Sequence, residues 1–214
     1  MKKLLITRPE YDIETYYLSS WSNVIINEAI KNGIKVFDLK GKKANKKILL
    51  SFLSKHEPNF VVMNGHGDET HIYGNNDVPI VSENSDEEYF ENKIVYTVAC
   101  DAAKSLGESI TKRGNNCFIG YKEKFMFHID STSPFNEPMK DRIAASFFIP
   151  TNKIPMSIIR GYTTKESVEM AIDEFKKEIR KWRMSKDIEA PFILTALFWD
   201  LTFLVHLGKE MSFE

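Results

Sequence analysis

The chain has 214 residues, of which 29 are basic and 30 acidic, for a formal net charge of −1. That balance leaves no electrostatic footprint for nucleic acid or an anionic membrane surface. Only two cysteines occur, which excludes a disulfide scaffold and fits a reducing, cytoplasmic compartment, and the length suits one domain with a sizeable core.

Met1-Lys2-Lys3-Leu4-Leu5-Ile6 begins like a signal peptide, but Thr7-Arg8-Pro9-Glu10 ends the apolar run too early for one, and a first strand near 3–7 is the expectation instead. Leu18, Trp21, Ile25 and Ala29 then recur at helical spacing, predicting a helix near 13–31 that Gly33 stops. Ile34 to Leu39 reads as strand two, and Ile48, Leu49, Phe52 and Leu53 as one face of a helix near 45–56. Phe60-Val61-Val62-Met63 and Ile94-Val95-Tyr96-Thr97-Val98-Ala99 are near-continuous apolar runs, as central strands covered on both faces require. Between them lies a polar insertion with turn chemistry at Tyr73-Gly74-Asn75-Asn76-Asp77, a short hairpin arm at 78–81 and a helical turn near 85–88. A short helix carrying Leu106 and Ile110 precedes a strand near 117–121. This alternation predicts an α/β fold with a mostly parallel sheet and helices on both faces.

The carboxyl third is expected to be helical and supportive, so residues 1–150 form the α/β core and 151–214 pack on it within one domain. Thr163 with Glu166 makes a capping box, and Val168, Ile172, Phe175, Ile179 and Trp182 form a 4-3-4-3 stripe. Pro191 to Leu207 is apolar nearly all round, but it spans only 17 residues and carries Asp200 near its middle. A core helix, or one that docks on another protein, is preferred to a membrane span. If Asp200 is buried, it needs a partner.

Chemistry gathers at the carboxyl ends of the two central runs. Phe60–Met63 leads into Asn64-Gly65-His66-Gly67, and the run from Ile94 ends at Cys100. In open parallel sheets the crevice beyond the strand carboxyl ends is the usual ligand site. A thiol is mostly protonated at neutral pH, and an imidazole that takes its proton makes it a nucleophile. Histidine suits the task because its ring ionises near neutrality. The backbone amides of Gly67 and Cys100 are candidate oxyanion donors. Taken alone, a strand-end cysteine is more often core than nucleophile; the pairing with His66 at matching ends of consecutive strands favours catalysis. Cys117 lacks such a motif and reads as a small buried hydrophobe.

The segments Val61-Val-Met-Asn-Gly-His-Gly67 and Val95-Tyr-Thr-Val-Ala-Cys-Asp101, with Cys117-Phe-Ile-Gly-Tyr121 on the next strand, resemble the caspase-like (clan CD) cysteine peptidases. The resemblance covers roughly residues 1–150. The caspase signature Gln-Ala-Cys-x-Gly is absent, with Val98 and Ala102 in its place, so the pattern looks closer to bacterial CHAT, clostripain and gingipain domains. It implies a Cys-His dyad with His66 as general base and acid and Cys100 as nucleophile, a protein or peptide substrate, no cofactor, and control by a regulatory protein partner. It also implies a substrate pocket drawn from the loop after strand one, the flanks of the nucleophile and the segment near 121–142. Those regions offer Glu10, Asp12, Asp101 and Asp130 as substrate-binding candidates, favouring Arg or Lys before the scissile bond, with Arg8 as the alternative partner for an acidic substrate residue.

Two other histidines are weaker candidates. His71 invites a metal reading with His66, but the i, i+5 spacing and Gly67 argue against it, and no metal is expected. His128 lacks the strand-end glycine context. Two alternatives to a peptidase stand: a catalytically inactive interaction module that docks through the apolar stretch at 191–207, and a doubly wound small-molecule-binding protein.

Overall fold

The computed structural model describes residues 1–133 and 136–214; Pro134 and Phe135, within the expected rim segment 121–142, lie outside the described residues. The central sheet is built from β1 (Lys3–Arg8), β2 (Lys35–Lys40), β3 (Phe60–Met63), β6 (Ile94–Thr97), β7 (Cys117–Tyr121) and β8 (Leu204–Gly208), in the order β2-β1-β3-β6-β7-β8. All neighbours are parallel except β7 and β8. The chain moves from β1 outward to β2 on one side and then to β3 on the other, so its topology switches direction between β1 and β3. The carboxyl ends there open the crevice in which such sheets take ligands. Thr7 pairs with Met63, and Met63 with Thr97, so the segments carrying His66 and Cys100 leave the sheet at the same level.

Alternation along the strands divides the core in two. Leu4, Ile6, Val62, Tyr96 and Ile119 face α1 (Ile13–Trp21), α2 (Asn23–Lys31), α5 (Arg142–Ile159), α6 (Thr164–Arg183) and α7 (Ala190–Phe203). Leu5, Val61, Met63, Val95 and Phe118 face α3 (Lys46–His56), α4 (Leu106–Thr111) and the hairpin of β4 (His71–Tyr73) and β5 (Pro79–Ser82). Every residue of β3 and β6 is buried, as strands covered on both sides must be.

The helix expected over 13–31 is two helices that meet at Ser22. The Ser22 hydroxyl donates back to the Leu18 carbonyl at 2.7 Å, a local bond that bends helices. The same oxygen accepts from Asn64 Nδ2 at 3.1 Å, and Asn64 Nδ2 also reaches the Thr7 carbonyl. The break therefore ties the helices to the residue that starts the exit from β3.

The Thr163–Glu166 capping box is present, and the stripe of α6 packs inward with Val168, Phe175, Ile179 and Trp182 buried. The apolar stretch expected as one helix over 191–207 is instead α7 to Phe203, followed by β8 along the outer edge of β7. A helix continued to 207 would leave the buried β7 with unpaired backbone groups on that side, and the antiparallel strand satisfies them. Pro155 removes a donor inside α5, and the Thr151 carbonyl four residues earlier is capped by the Tyr96 hydroxyl at 2.9 Å. Among the described residues no helix is long and apolar enough to cross a membrane.

Candidate active site

His66 leaves β3 through a turn that only glycine permits. Gly65 has φ +145°, and a Cβ there would lie 2.3 Å from the Tyr73 carbonyl oxygen. Gly67 serves close approach: a Cβ on it would come within 2.7 Å of the Cys100 carbonyl oxygen and 2.8 Å of the Ala99 Cβ. The backbone beyond His66 thus packs directly on the backbone of the nucleophile candidate. The His66 carbonyl accepts from Tyr73 N–H at 2.9 Å and Asp68 N–H donates to the His71 carbonyl, which pins the turn to the hairpin. Neither the Gly67 nor the Cys100 N–H is engaged by another group among the described residues, so both are free to donate.

His66 and Cys100 line the same small cavity, about 90 Å³, together with Glu14, Val98, Phe125 and Phe127. Its volume suits one amino-acid side chain better than a cofactor or a drug-sized metabolite, whose sites span roughly 300–1,000 Å³. His66 Nε2 lies 2.7 Å from Asp12 Oδ2. Burial works to raise the Asp12 carboxyl, but hydrogen bonds from Thr15 and His66 outweigh it and hold the group below the usual carboxylate range. An ionised carboxylate only accepts, so the proton sits on Nε2 and Nδ1 is left as the acceptor. That is the tautomer a base for a thiol requires.

Cys100 is partly exposed. Burial pushes its thiol up from the ordinary value, with the Phe125 backbone amide acting in the opposite direction. The resting group is therefore the thiol.

The other acidic candidates are already occupied. Glu10 accepts from Ser19 Oγ at 2.7 Å and pairs with Lys40 at 3.2 Å. Asp101 pairs with Lys104 at 2.8 Å, and that lysine also reaches Glu69 and Glu123. Asp130 accepts from Thr132 and lies 3.4 Å from Arg142 Nε. Of the four, only Asp12 contacts His66, as the partner of the imidazole. Glu14, in the first turn of α1, is a carboxylate that lines the cavity; its place in the first turn after strand one was the available signal.

His71 is held on the hairpin by Thr70 and Asp68 and does not join His66 in the one candidate metal group among the described residues. His128 packs against Phe147, with ring centroids 6.0 Å apart. Among the described residues, the ligand atoms of Asp12, Glu14 and His66 lie within 4.8 Å of one another and form the one group able to hold a metal ion, which includes His66 of the cavity. Comparison with profiles of known protein families gives no match, and a search of curated proteins gives none either.

Proposed function

We propose that the chain is a caspase-like cysteine endopeptidase. The observation that carries this reading is the single cavity shared by His66 and Cys100 at the carboxyl ends of β3 and β6, with Asp12 holding the far side of the imidazole. His66 Nδ1 takes the thiol proton as the sulfur bonds to the peptide carbonyl carbon, and the oxyanion that forms is met by the Gly67 and Cys100 amides, each such donor supplying about 3 kcal/mol. Collapse breaks the C–N bond, and the departing amine leaves with the proton from His66. Water then attacks the thioester, gives its proton to His66, and the released sulfur recovers it. Asp12 stabilises the imidazolium in both steps.

The cavity has apolar walls and Glu14 among its lining residues, which supports a substrate side chain with an apolar stem and a cationic end, Arg or Lys. The substrate is a protein or peptide, and the reading places the enzyme in the cytoplasm under the control of a protein partner, a role that rests on analogy with the bacterial domains named above. Iodoacetamide is expected to label Cys100 faster than Cys117, with His66→Ala slowing the reaction. A peptide library should be cut after Arg or Lys by the wild type and left intact by Cys100→Ala, and Glu14→Lys should suppress the basic preference. Equal labelling of both thiols with no cleavage would defeat the reading.

The second reading, a non-catalytic module docking through α7, is favoured by the exposure of Phe192 (66%) and Phe198 (45%). It predicts an unreactive Cys100.

A further inference from the structure

The outward side of α6 carries a line of exposed charged residues, Glu166, Glu169, Asp173, Lys176, Arg180 and Arg183. Successive members are three or four residues apart, so they follow one another along a single face of the helix. The spacings 3, 4, 3, 4, 3 read the same from either end, while the sign inverts at the midpoint, with the acids in the first half and the cations in the second. A second copy of the helix laid antiparallel on the first therefore brings Glu166 opposite Arg183, Glu169 opposite Arg180 and Asp173 opposite Lys176, each pair occurring twice about one two-fold axis.

The helix dipole favours acids in a first turn and cations in a last one, which accounts for Glu166, Arg180 and Arg183 but not for Glu169, Asp173 and Lys176, which lie outside the terminal turns. Nor are these charges neutralised within the chain as their neighbours are. Lys177 and Lys181, on the adjoining side of α6, meet Glu174 and Glu178 at 2.8 Å. Asp173 and Lys176 approach only to 3.5 Å, and Glu166 accepts from the Thr163 N–H through Oε2 alone. Glu169, Arg180 and Arg183 meet no oppositely charged side chain among the described residues; Arg183 lies over the Phe198 ring instead.

The cationic half of the line also forms one wall of an open groove of about 360 Å³ between α6 and α7, completed by Ile179, Phe198 and Leu201. No carboxylate lines it. The other wall is a helix with no charge on its outward side: Phe192, Thr195, Phe198 and Trp199 are exposed, and Asp200, its one ionisable residue, is buried. The wall is held in place, with Asp200 Oδ1 accepting from Met126 N–H and Trp199 Nε1 donating to the Lys124 carbonyl, both at 2.9 Å. Such a groove suits a helix that presents carboxylates at the spacing of its cations. The first half of α6 is a segment of that kind.

We propose that two copies of the chain pair through antiparallel α6 helices, each placing its acidic half along the cationic wall of the other's α6–α7 groove. An anionic bilayer would attract the cations and repel the acids. A partner with the inverted pattern satisfies both halves, and the helix itself carries that pattern. None of these residues lines the cavity of His66 and Cys100, so the inference stands apart from the reading of Cys100.

The test is sedimentation velocity of the full chain in low salt at concentrations up to about 1 mM, the weak limit of specific association. The wild type should dimerise, and added NaCl should dissociate it. Glu169→Arg and Arg180→Glu, both at exposed positions, should each weaken the dimer about tenfold or more, because a substitution on a two-fold interface turns two attractions into two repulsions. An equimolar mixture of the two single variants should restore association, since the reversed charge of each then faces that of the other, and so should the double variant Glu169→Arg/Arg180→Glu. A chain that stays monomeric, a dimer that the single reversals leave intact, or a mixture no more associated than its components overturns the proposal. Binding of phosphatidylserine vesicles by a monomeric wild type likewise overturns it and assigns the groove to a bilayer.

Discussion

Asp12 meets two demands with two oxygens. Oδ1 accepts from Thr15 N–H at 2.8 Å and caps α1, while Oδ2 takes His66. A cap residue is held in extended backbone by the helix it starts, so helix formation itself fixes the carboxylate that orients the imidazole. Asp12→Asn keeps a capping oxygen but loses the charge, and Asp12→Ala loses both. Each should slow Cys100 alkylation and peptide cleavage by about 10- to 100-fold, the loss of one hydrogen bond between charged groups. Asp12→Ala, which loses the cap as well, should also lower stability, by about 1 kcal/mol. Because the folded carboxyl lies below its ordinary value, its stabilisation is present above pH ~4 and disappears as pH falls through the folded value. Melting curves of wild type and Asp12→Ala should therefore converge in acid, and a constant difference at all pH values would contradict the assignment. The sequence shows Asp12 three residues before a threonine, a capping pattern, yet nothing local reveals that its second oxygen meets a residue 54 positions away. The same limit hid the neutralisation of Glu10, Asp101 and Asp130, whose cations come in part from other elements.

At the scale of elements, the strands that carry the site were legible because burial on both faces leaves an uninterrupted apolar run, and chemistry at the end of such a run stands out. Elements that depend on partners were less so. The break at Ser22 follows from Asn64 on a distant turn. The change from α7 to β8 follows from the open edge of β7, and Pro150 and Pro155 disguise α5, whose lost donor is offset by Tyr96 from the sheet. Gly67 tests how tightly the β3 exit must pack on the β6 exit. A methyl group there meets the Cys100 carbonyl and the Ala99 Cβ, neither of which is a flexible side-chain end. Gly67→Ala should cost about 1–3 kcal/mol, the usual range for overpacking, and should also move His66 relative to Cys100. The expected signature is a lowered melting temperature together with loss of the His66-dependent part of Cys100 alkylation. A variant that melts lower but alkylates normally would mean that the two exits move as one body.

Across the whole molecule, two cysteine–histidine neighbourhoods occupy opposite ends of the sheet and differ in access. Cys117 lies at the amino end of β7, fully buried, 3.3 Å from His206 Nε2, and burial pushes its thiol up to about 12. It is closed off from solvent, while Cys100 at the carboxyl end borders a cavity, so proximity of an imidazole alone does not make a thiol accessible. Asp200 links this architecture to stability. Buried in the layer that joins α7 to the sheet, its carboxyl is pushed well above the ordinary value, with burial the main cause and the Met126 N–H opposing it. The folded chain thus keeps a proton that the unfolded chain releases above pH ~4. The stability associated with this group is complete below that pH and declines as pH rises toward the folded value. Asp200→Asn removes the titration but keeps the acceptor, so its melting temperature relative to wild type should rise between pH 4 and pH 8. A difference that stays flat across that range would mean that the carboxylate is ionised inside the fold, and the Met126 N–H would then be held by a charge rather than by a neutral acid.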